Sequence, residues 1–92
     1  MSTYANVKIG ATELCVTHDG FPDEIVSVVR GYTREAKTKA KLGFIPEITV
    51  ALIMADSNDY YSFFHPGTVE FGESYIINIG PRGGVKIHKK ER

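Results

Sequence analysis

The segment 17–22, Thr-His-Asp-Gly-Phe-Pro, contains the residues of this chain whose types and spacing most directly suggest chemistry. His18 and Asp19 could act as a general base and its orienting carboxylate, or as two ligands of a metal ion. Adjacent side chains rarely face one another at the end of a strand, and no third ligand follows at a recognised spacing. We therefore expect no metal and no cofactor.

The same segment also has a structural interpretation, as the corner between a strand and a helix. Asp-Gly is a turn signal, and Pro22 fits the first position of a helix. Asp19 would accept backbone N–H groups or cap the helix, and Gly20 would supply a φ that other residues resist. Phe21 would pack against the helix like a hydrophobic staple. We favour this structural turn for His18, Asp19, Gly20, Phe21 and Pro22, with the lip of a binding site and catalysis as alternatives.

Two further polar residues, His65 and Glu73, are candidates for joining this turn. His65-Pro66 most simply marks the end of a strand. If that strand end and the turn at 18–22 shared one edge of the sheet, His65 and Glu73 would converge with His18 and Asp19. We treat this convergence as a hypothesis.

Composition narrows the class of protein. With 92 residues, 42% of them hydrophobic and 11% aromatic, the chain can build one core, and we expect one domain over residues 1–92. The single cysteine, Cys15, excludes an internal disulfide and is flanked by apolar residues, which indicates a buried free thiol. The N-terminus lacks the pattern of a signal peptide, and the longest apolar run, 50–55, is too short to cross a bilayer. We expect a soluble, cytoplasmic protein that binds no membrane.

Charge is balanced overall but unevenly distributed. The formal net charge is zero, yet no Lys or Arg occurs from residue 42 to residue 81. A predicted helix carries a basic face of Arg30, Arg34, Lys37 and Lys41, and a basic tail covers about residues 86–92. Such segregation can steer an acidic partner or pair two copies head to tail. A solvated helix face and a solubilising tail is the simpler interpretation.

Periodicity predicts one helix and several short strands. Apolar residues recur at helical spacing from Ile25 to Ala40, so a helix follows Pro22. For segment 46–57 the sequence favours a strand and a helix about equally. Ile-Thr-Val favours the strand, and Pro-Glu at the start favours the helix. The loop 80–84 lacks the phosphate-loop pattern and precedes a strand, which indicates a hairpin. The predicted strands are 7–9, 14–17, 60–64, 74–79 and 85–88.

Four aromatic residues, Tyr60, Tyr61, Phe63 and Phe64, dominate the predicted strand 60–64. Alternation would turn one pair, either Tyr61 and Phe63 or Tyr60 and Phe64, away from the core. An exposed pair could stack nucleic-acid bases, but this segment offers phosphate no positive charge. Contact with a second subunit is the better interpretation, because exposed aromatic patches usually mark protein contacts.

Several short motifs, taken in order, resemble a family of small, uncharacterised bacterial and phage proteins with a His/Tyr-Asp-Gly-Tyr-Pro turn. Residues 17–22 resemble that turn, with Phe21 in place of the usual Tyr, so no role of a hydroxyl transfers. Residues 48–53 look like the family's Ala-rich second helix, 61–66 like its Ile-Tyr-Leu-x-Pro strand, and 72–77 like its Gly-Glu-Glu-Tyr strand. The resemblance implies a β-β-α-α-β-β-β order with a helix at 46–57, and no particular activity.

These features together predict an α+β domain, with a mostly antiparallel sheet of about five strands covered on one face by two helices. We expect a non-enzymatic interaction or accessory protein, of phage or mobile-element type, that self-associates or binds a protein partner through its sheet. One alternative is a nucleic-acid-associated accessory protein that uses the basic helix face and tail. Another is an enzyme with its site at His18 and Asp19.

Overall fold

Alternating apolar residues build a five-stranded sheet with one buried face. The computed structural model describes residues 3–41 and 43–90, and its strands are β1 (Ala5–Ile9), β2 (Thr12–Val16), β3 (His65–Pro66), β4 (Glu73–Ile79) and β5 (Val85–Lys89). Their order across the sheet is β3-β2-β1-β4-β5. β1 pairs parallel with β4, and the other three neighbouring pairs are antiparallel. The sheet is therefore mixed and mostly antiparallel, as predicted.

Two helices cover the buried face, and both contribute to a single core. They are α1 (Pro22–Lys39) and α2 (Ile45–Asp56), which confirms the predicted ββααβββ order. Segment 46–57, for which the sequence favoured strand and helix about equally, is helical because Ile45, Thr49 and Ile53 form one buried stripe along α2. The core cluster consists of Ala5, Val7, Ile9, Leu14, Val16, Ile25, Val29, Ile53, Phe64, Tyr75 and Ile77.

The predicted strand at 60–64 is wrong. These residues form turns after α2, and β3 comprises only His65–Pro66, the residues predicted to end that strand. The Asp59 carboxylate accepts the backbone N–H of Tyr61 at 2.9 Å. The Ser62 hydroxyl lies within 2.9 Å of two nearby backbone carbonyl oxygens. These local side-chain bonds offer the backbone an alternative to a β ladder, and they outweigh the β propensity of the aromatic residues.

Between β3 and β4 the chain crosses the face of the sheet opposite the helices. β2 and β1 lie between these two strands, so segment 67–72 must pass over both of them. The Asn6 side chain holds this crossing segment: its Nδ2 donates to the Val69 carbonyl at 2.9 Å, and its Oδ1 accepts the Val69 N–H at 2.7 Å. Asn6 reaches the segment because it alternates with the buried Val7 and therefore lies on the opposite face.

One side-chain hydrogen bond joins the two helices. The Tyr32 hydroxyl donates to the Asp56 carboxylate at 2.7 Å. Burial, together with this bond, raises the pKa of Tyr32 to about 12 from its ordinary 10.0. The protonated phenol is therefore the form that the folded protein stabilises.

We expect Tyr32→Phe to lower the free energy of unfolding by about 1 kcal/mol, because it removes this hydrogen bond. The folded-state pKa lies above the unfolded one, so the contribution is complete below pH 10.0 and is lost as pH rises toward about 12. Urea denaturation of both proteins at about pH 8 and about pH 11 tests this. The stability difference should narrow at the higher pH, and a constant difference would contradict the assignment.

Candidate functional site

The turn at residues 18–22 joins β2 to α1 and packs against the start of β1. The Gly20 N–H donates to the Thr3 carbonyl at 3.1 Å. A Cβ at Gly20 would lie 2.8 Å from that carbonyl oxygen and 3.0 Å from the Ala5 Cβ, so the position has no room for a side chain. The positive φ in the turn, 57°, belongs to Asp19. The prediction that Gly20 supplies the unusual φ is therefore wrong, and glycine is needed there for space.

The remaining side chains of this turn are mostly exposed. His18, Asp19 and Phe21 all face solvent, and Phe21 is 54% exposed, which is little contact for a staple. Pro22 occupies the start of α1 as predicted, with Phe21 at the N-cap position and no side-chain hydrogen bond capping the helix in the described structure. The predicted cap by Asp19 is therefore wrong. A catalytic role for His18 and Asp19 stays a prediction.

The sheet separates the two polar residues that were expected to join the turn. His65 lies opposite Cys15, and Glu73 lies opposite Ala5. Since β2 and β1 intervene, β3 and β4 are about 14 Å apart at the usual strand spacing. Alternation also places His65 and Glu73 on opposite faces, and the Glu73 carboxylate lies 3.1 Å from Lys89 Nζ in an exposed ion pair. His65 and Glu73 therefore do not converge with each other, whereas a contact of either one with the turn stays a prediction, since their partners Cys15 and Ala5 lie at the strand ends next to it.

Cys15 is buried, which agrees with the interpretation as a structural thiol. Desolvation by burial raises the pKa of this thiol above its ordinary value, so little reactive thiolate forms near neutral pH. Within residues 3–41 and 43–90, no three His, Cys, Asp or Glu side chains are grouped so that they could hold a metal ion.

The four aromatic residues after α2 divide into an outer and an inner pair. Tyr60 and Tyr61 are 85% and 90% exposed, with ring centroids 5.1 Å apart in an edge-to-face arrangement. Phe63 is half-buried and Phe64 is buried, also edge to face. The division falls between sequence neighbours because a turn lacks the alternation of a strand. Of the predicted interface, only Tyr60 and Tyr61 remain available at the surface.

A basic cleft lies between α1 and the hairpin formed by β4 and β5. Arg30, Arg34 and Lys37 line its helix wall, where their spacing places them on one face of α1. Lys86 lies on the hairpin side. The cleft has a volume of about 640 Å³, and none of the described residues that line it is acidic. Three of the four predicted basic-face residues therefore line one wall, whereas Lys86 of the predicted basic tail alternates with Val85 and has its side chain on the other face of the sheet.

The basic cleft has a charged rim and a mostly apolar floor. Its basic side chains are exposed, whereas Thr33 is buried and Ile79 and Val85 are half-buried. At the end of the floor the hairpin loop closes onto α1 at Gly83. A Cβ there would lie 2.9 Å from Thr33 Cγ2 and 3.3 Å from Lys37 Nζ, so the loop approaches the helix because Gly83 has no side chain.

The sequence predicts only the helix wall of the basic cleft. Lys41, the fourth residue of the predicted basic face, follows the end of α1 and does not line the cleft. Asn78 and Lys86 on the hairpin side are distant from α1 in sequence, and no local pattern connects them with it. Of the predicted tail, residues 91–92 lie outside the described residues.

No family model, curated protein or solved structure matches this chain. The resemblance to the bacterial and phage turn family therefore stays a prediction from the residues that carry it. In the described part of the chain, no helix combines the length and the apolarity needed to cross a membrane.

We expect Gly83→Ala to destabilise the fold by about 1–3 kcal/mol, because the position has a φ of 92° and a methyl group would press on Thr33 and Lys37. Gly84→Ala is the matched control, since a Cβ there meets nothing within 4 Å and the backbone has no positive φ. It should be neutral or slightly stabilising. Urea denaturation measures both, and equal effects would contradict the close approach of the loop to α1.

Proposed function

We propose that this chain is a non-enzymatic accessory protein that binds the phosphate backbone of a nucleic acid in the basic cleft. The observation that carries the proposal is the row of Arg30, Arg34 and Lys37 along one wall of a concavity that has no acidic lining residue in the described structure. Phosphate contacts of this kind supply most of the affinity of nucleic-acid binding that does not depend on sequence. This was the alternative to a protein partner in the sequence prediction.

The unfavourable effect of Arg30 and Arg34 on the stability of α1 supports a binding role for these side chains. Arg30 and Arg34 are like charges at i and i+4, which destabilises a helix by about 0.2–0.5 kcal/mol. Among the described residues neither forms an ion pair, whereas Lys39, outside the cleft, pairs with Glu35 at 3.1 Å. An unpaired basic group that weakens its own helix is explained when an external anion supplies the missing partner.

The chemistry of the rim favours phosphate over an isolated carboxylate. Arg30 and Arg34 each present a planar guanidinium that can bind two phosphate oxygens at once, and Lys37 adds a point charge. Because the net charge of the chain is zero, only the local field of the cleft attracts the ligand. We therefore expect modest affinity, with a Kd of about 10⁻⁴ to 10⁻⁶ M.

Binding of a labelled single-stranded DNA of about 12 nucleotides, measured by fluorescence anisotropy, tests the proposal. If the three basic side chains of the helix wall contact phosphates, the slope of log K against log salt should be about −2. Arg34→Gln should weaken binding about fivefold at low salt and reduce the slope by about 0.7. Lys41→Gln removes the same charge outside the cleft and should change neither quantity appreciably.

Three outcomes would contradict the proposal. The first is the absence of detectable binding at low salt, where phosphate contacts are strongest. The second is an equal loss of affinity in Lys41→Gln and Arg34→Gln, which would make the contact diffuse. The third is equally tight binding of poly-glutamate, which would indicate an acidic protein partner.

A second candidate function is self-association, and the observation in its favour is the complementarity between two parts of the surface. The turn after α2 presents Asp59 beside the exposed pair Tyr60 and Tyr61, with no Lys or Arg from residue 42 to residue 81. This acidic, aromatic turn of one copy complements the basic cleft of another. Such a contact joins different surfaces head to tail and keeps the predicted partner, a second copy of the chain.

Under this second candidate the solution mass at about 50 mM salt exceeds the 10.2 kDa of one chain and falls back to it at about 500 mM salt. Sedimentation equilibrium at several protein concentrations measures this. A salt-insensitive dimer would instead indicate contact through the aromatic pair alone, and a monomer at low salt would eliminate self-association. A phage or mobile-element setting stays a prediction from the family resemblance.

A further inference from the structure

We infer that the basic cleft takes one unpaired nucleotide, with its base against the apolar floor and its phosphates on the rim. The inference rests on the proposed function and adds the class of ligand, which is single-stranded rather than duplex nucleic acid. This inference is based on the apolar floor of the cleft, which a ligand bound only through its phosphates would not contact.

The floor provides an apolar surface of the kind that a base needs. Ile79 and Val85 expose part of their side chains between the two walls, and the buried Thr33 of α1 also lines the cleft. Gly84 also lines the cleft, and a Cβ there would meet nothing within 4 Å, so a flat ring can approach the backbone closely at that point. A phosphate gains nothing from such a surface, whereas a base removes apolar area from water on contact with it.

The rim places complementary groups around a ring held on that floor. A guanidinium of Arg30 or Arg34 can stack on the face of a base as well as bind its phosphate. Asn78 also lines the hairpin side, but it alternates with Ile79 of the floor, so its side chain lies on the opposite face of the sheet. Arg30, Arg34 and Lys37 supply the phosphate contacts from the helix wall.

The shape of the cleft selects an unpaired base. Its volume of about 640 Å³ falls within the range of small-ligand sites, which is about 300–1,000 Å³. A duplex keeps its bases stacked and paired inside and presents phosphates on a convex surface, so it can touch the rim but cannot bring a base to the floor. An unpaired nucleotide reaches both, since unstacked bases can turn outward.

The test compares three ligands of equal length at about 50 mM salt: a single strand, the same strand with abasic sites in place of all bases, and the matching duplex. We expect the single strand to bind about tenfold more tightly than the abasic strand, because only it can bury a base on the floor. The duplex should resemble the abasic strand or bind more weakly. Equal binding of the single and abasic strands would overturn the inference.

A pair of variants assigns the difference to the floor. Val85→Thr keeps β-branching and charge but makes the floor more polar, and it should remove most of the advantage of the base-containing strand. Ile87→Thr is the matched control, because Ile87 is also half-buried on the same face of β5 but does not line the cleft. Thermal unfolding confirms that both variants are folded. An unchanged advantage in Val85→Thr would contradict a base on the floor.

A free mononucleotide and a strand end share the chemistry that the cleft recognises, and competition distinguishes them. A 5′-mononucleotide that displaces the labelled strand at a concentration near that of the strand itself assigns the site to free nucleotides. Displacement only by unlabelled strand at that concentration assigns it to single-stranded nucleic acid. Displacement by inorganic phosphate as effective as that by the mononucleotide would overturn the role of the base.

The outcomes also distinguish failure of this inference from failure of the proposed function. If the abasic strand and the duplex bind as tightly as the single strand, and Arg34→Gln weakens all three, the cleft binds backbone phosphate and no base. If none of the three ligands binds at low salt, both the proposed nucleic-acid binding and the inferred base binding are wrong.

Discussion

The parallel pairing of β1 with β4 is the constraint on which the rest of this structure depends. β1 is the central strand, and inserting β4 beside it forces segment 67–72 to cross two strands on the face opposite the helices. The Asn6 side chain makes this crossing stable, because its two hydrogen bonds to Val69 satisfy a backbone donor and acceptor away from any ladder. With β4 fixed, β5 can only occupy the edge next to it.

The basic cleft follows directly from that placement. α1 covers the helix side of the sheet, and the β4–β5 hairpin reaches it through a loop whose Gly83 touches the helix. Three basic residues of α1 thereby line one concavity, although the chain as a whole carries no net charge. The corner at residues 18–22 is fixed by Gly20 against β1, so its compact sequence is explained largely by packing.

Much of the fold could be predicted from local patterns, and the failures have identifiable physical causes. The helical spacing from Ile25 onward defines α1, whereas the β-branched run within α2 left strand and helix equally favoured until tertiary packing of Ile45 and Ile53 decided. The aromatic residues at 60–64 suggested a strand, but the Asp59 side chain bonds to the backbone of the turn instead. The β propensity is a property of each aromatic residue by itself, whereas the hydrogen bonds of the turn depend on neighbouring side chains such as Asp59.

Only the helix wall of the basic cleft could be predicted from the sequence, again because local patterns do not reveal long-range contacts. Helical spacing is enough to show that Arg30, Arg34 and Lys37 share a face. The partner wall comes from a hairpin far along the chain, and its position depends on the parallel insertion of β4, which no short pattern reveals. The depth of the cleft and its apolar floor depend on that long-range pairing as well.

Titration of the ¹⁵N-labelled protein with a short single-stranded DNA, followed by amide chemical shifts, tests the central claim most directly. We predict that the amides of Lys37, Gly83 and Lys86 shift together and saturate with one dissociation constant, because these residues line a single cleft. The amide chemical shifts of Tyr61 and His18, which do not line the cleft, should not change. Shifts confined to those two residues, with the cleft unchanged, would contradict the account.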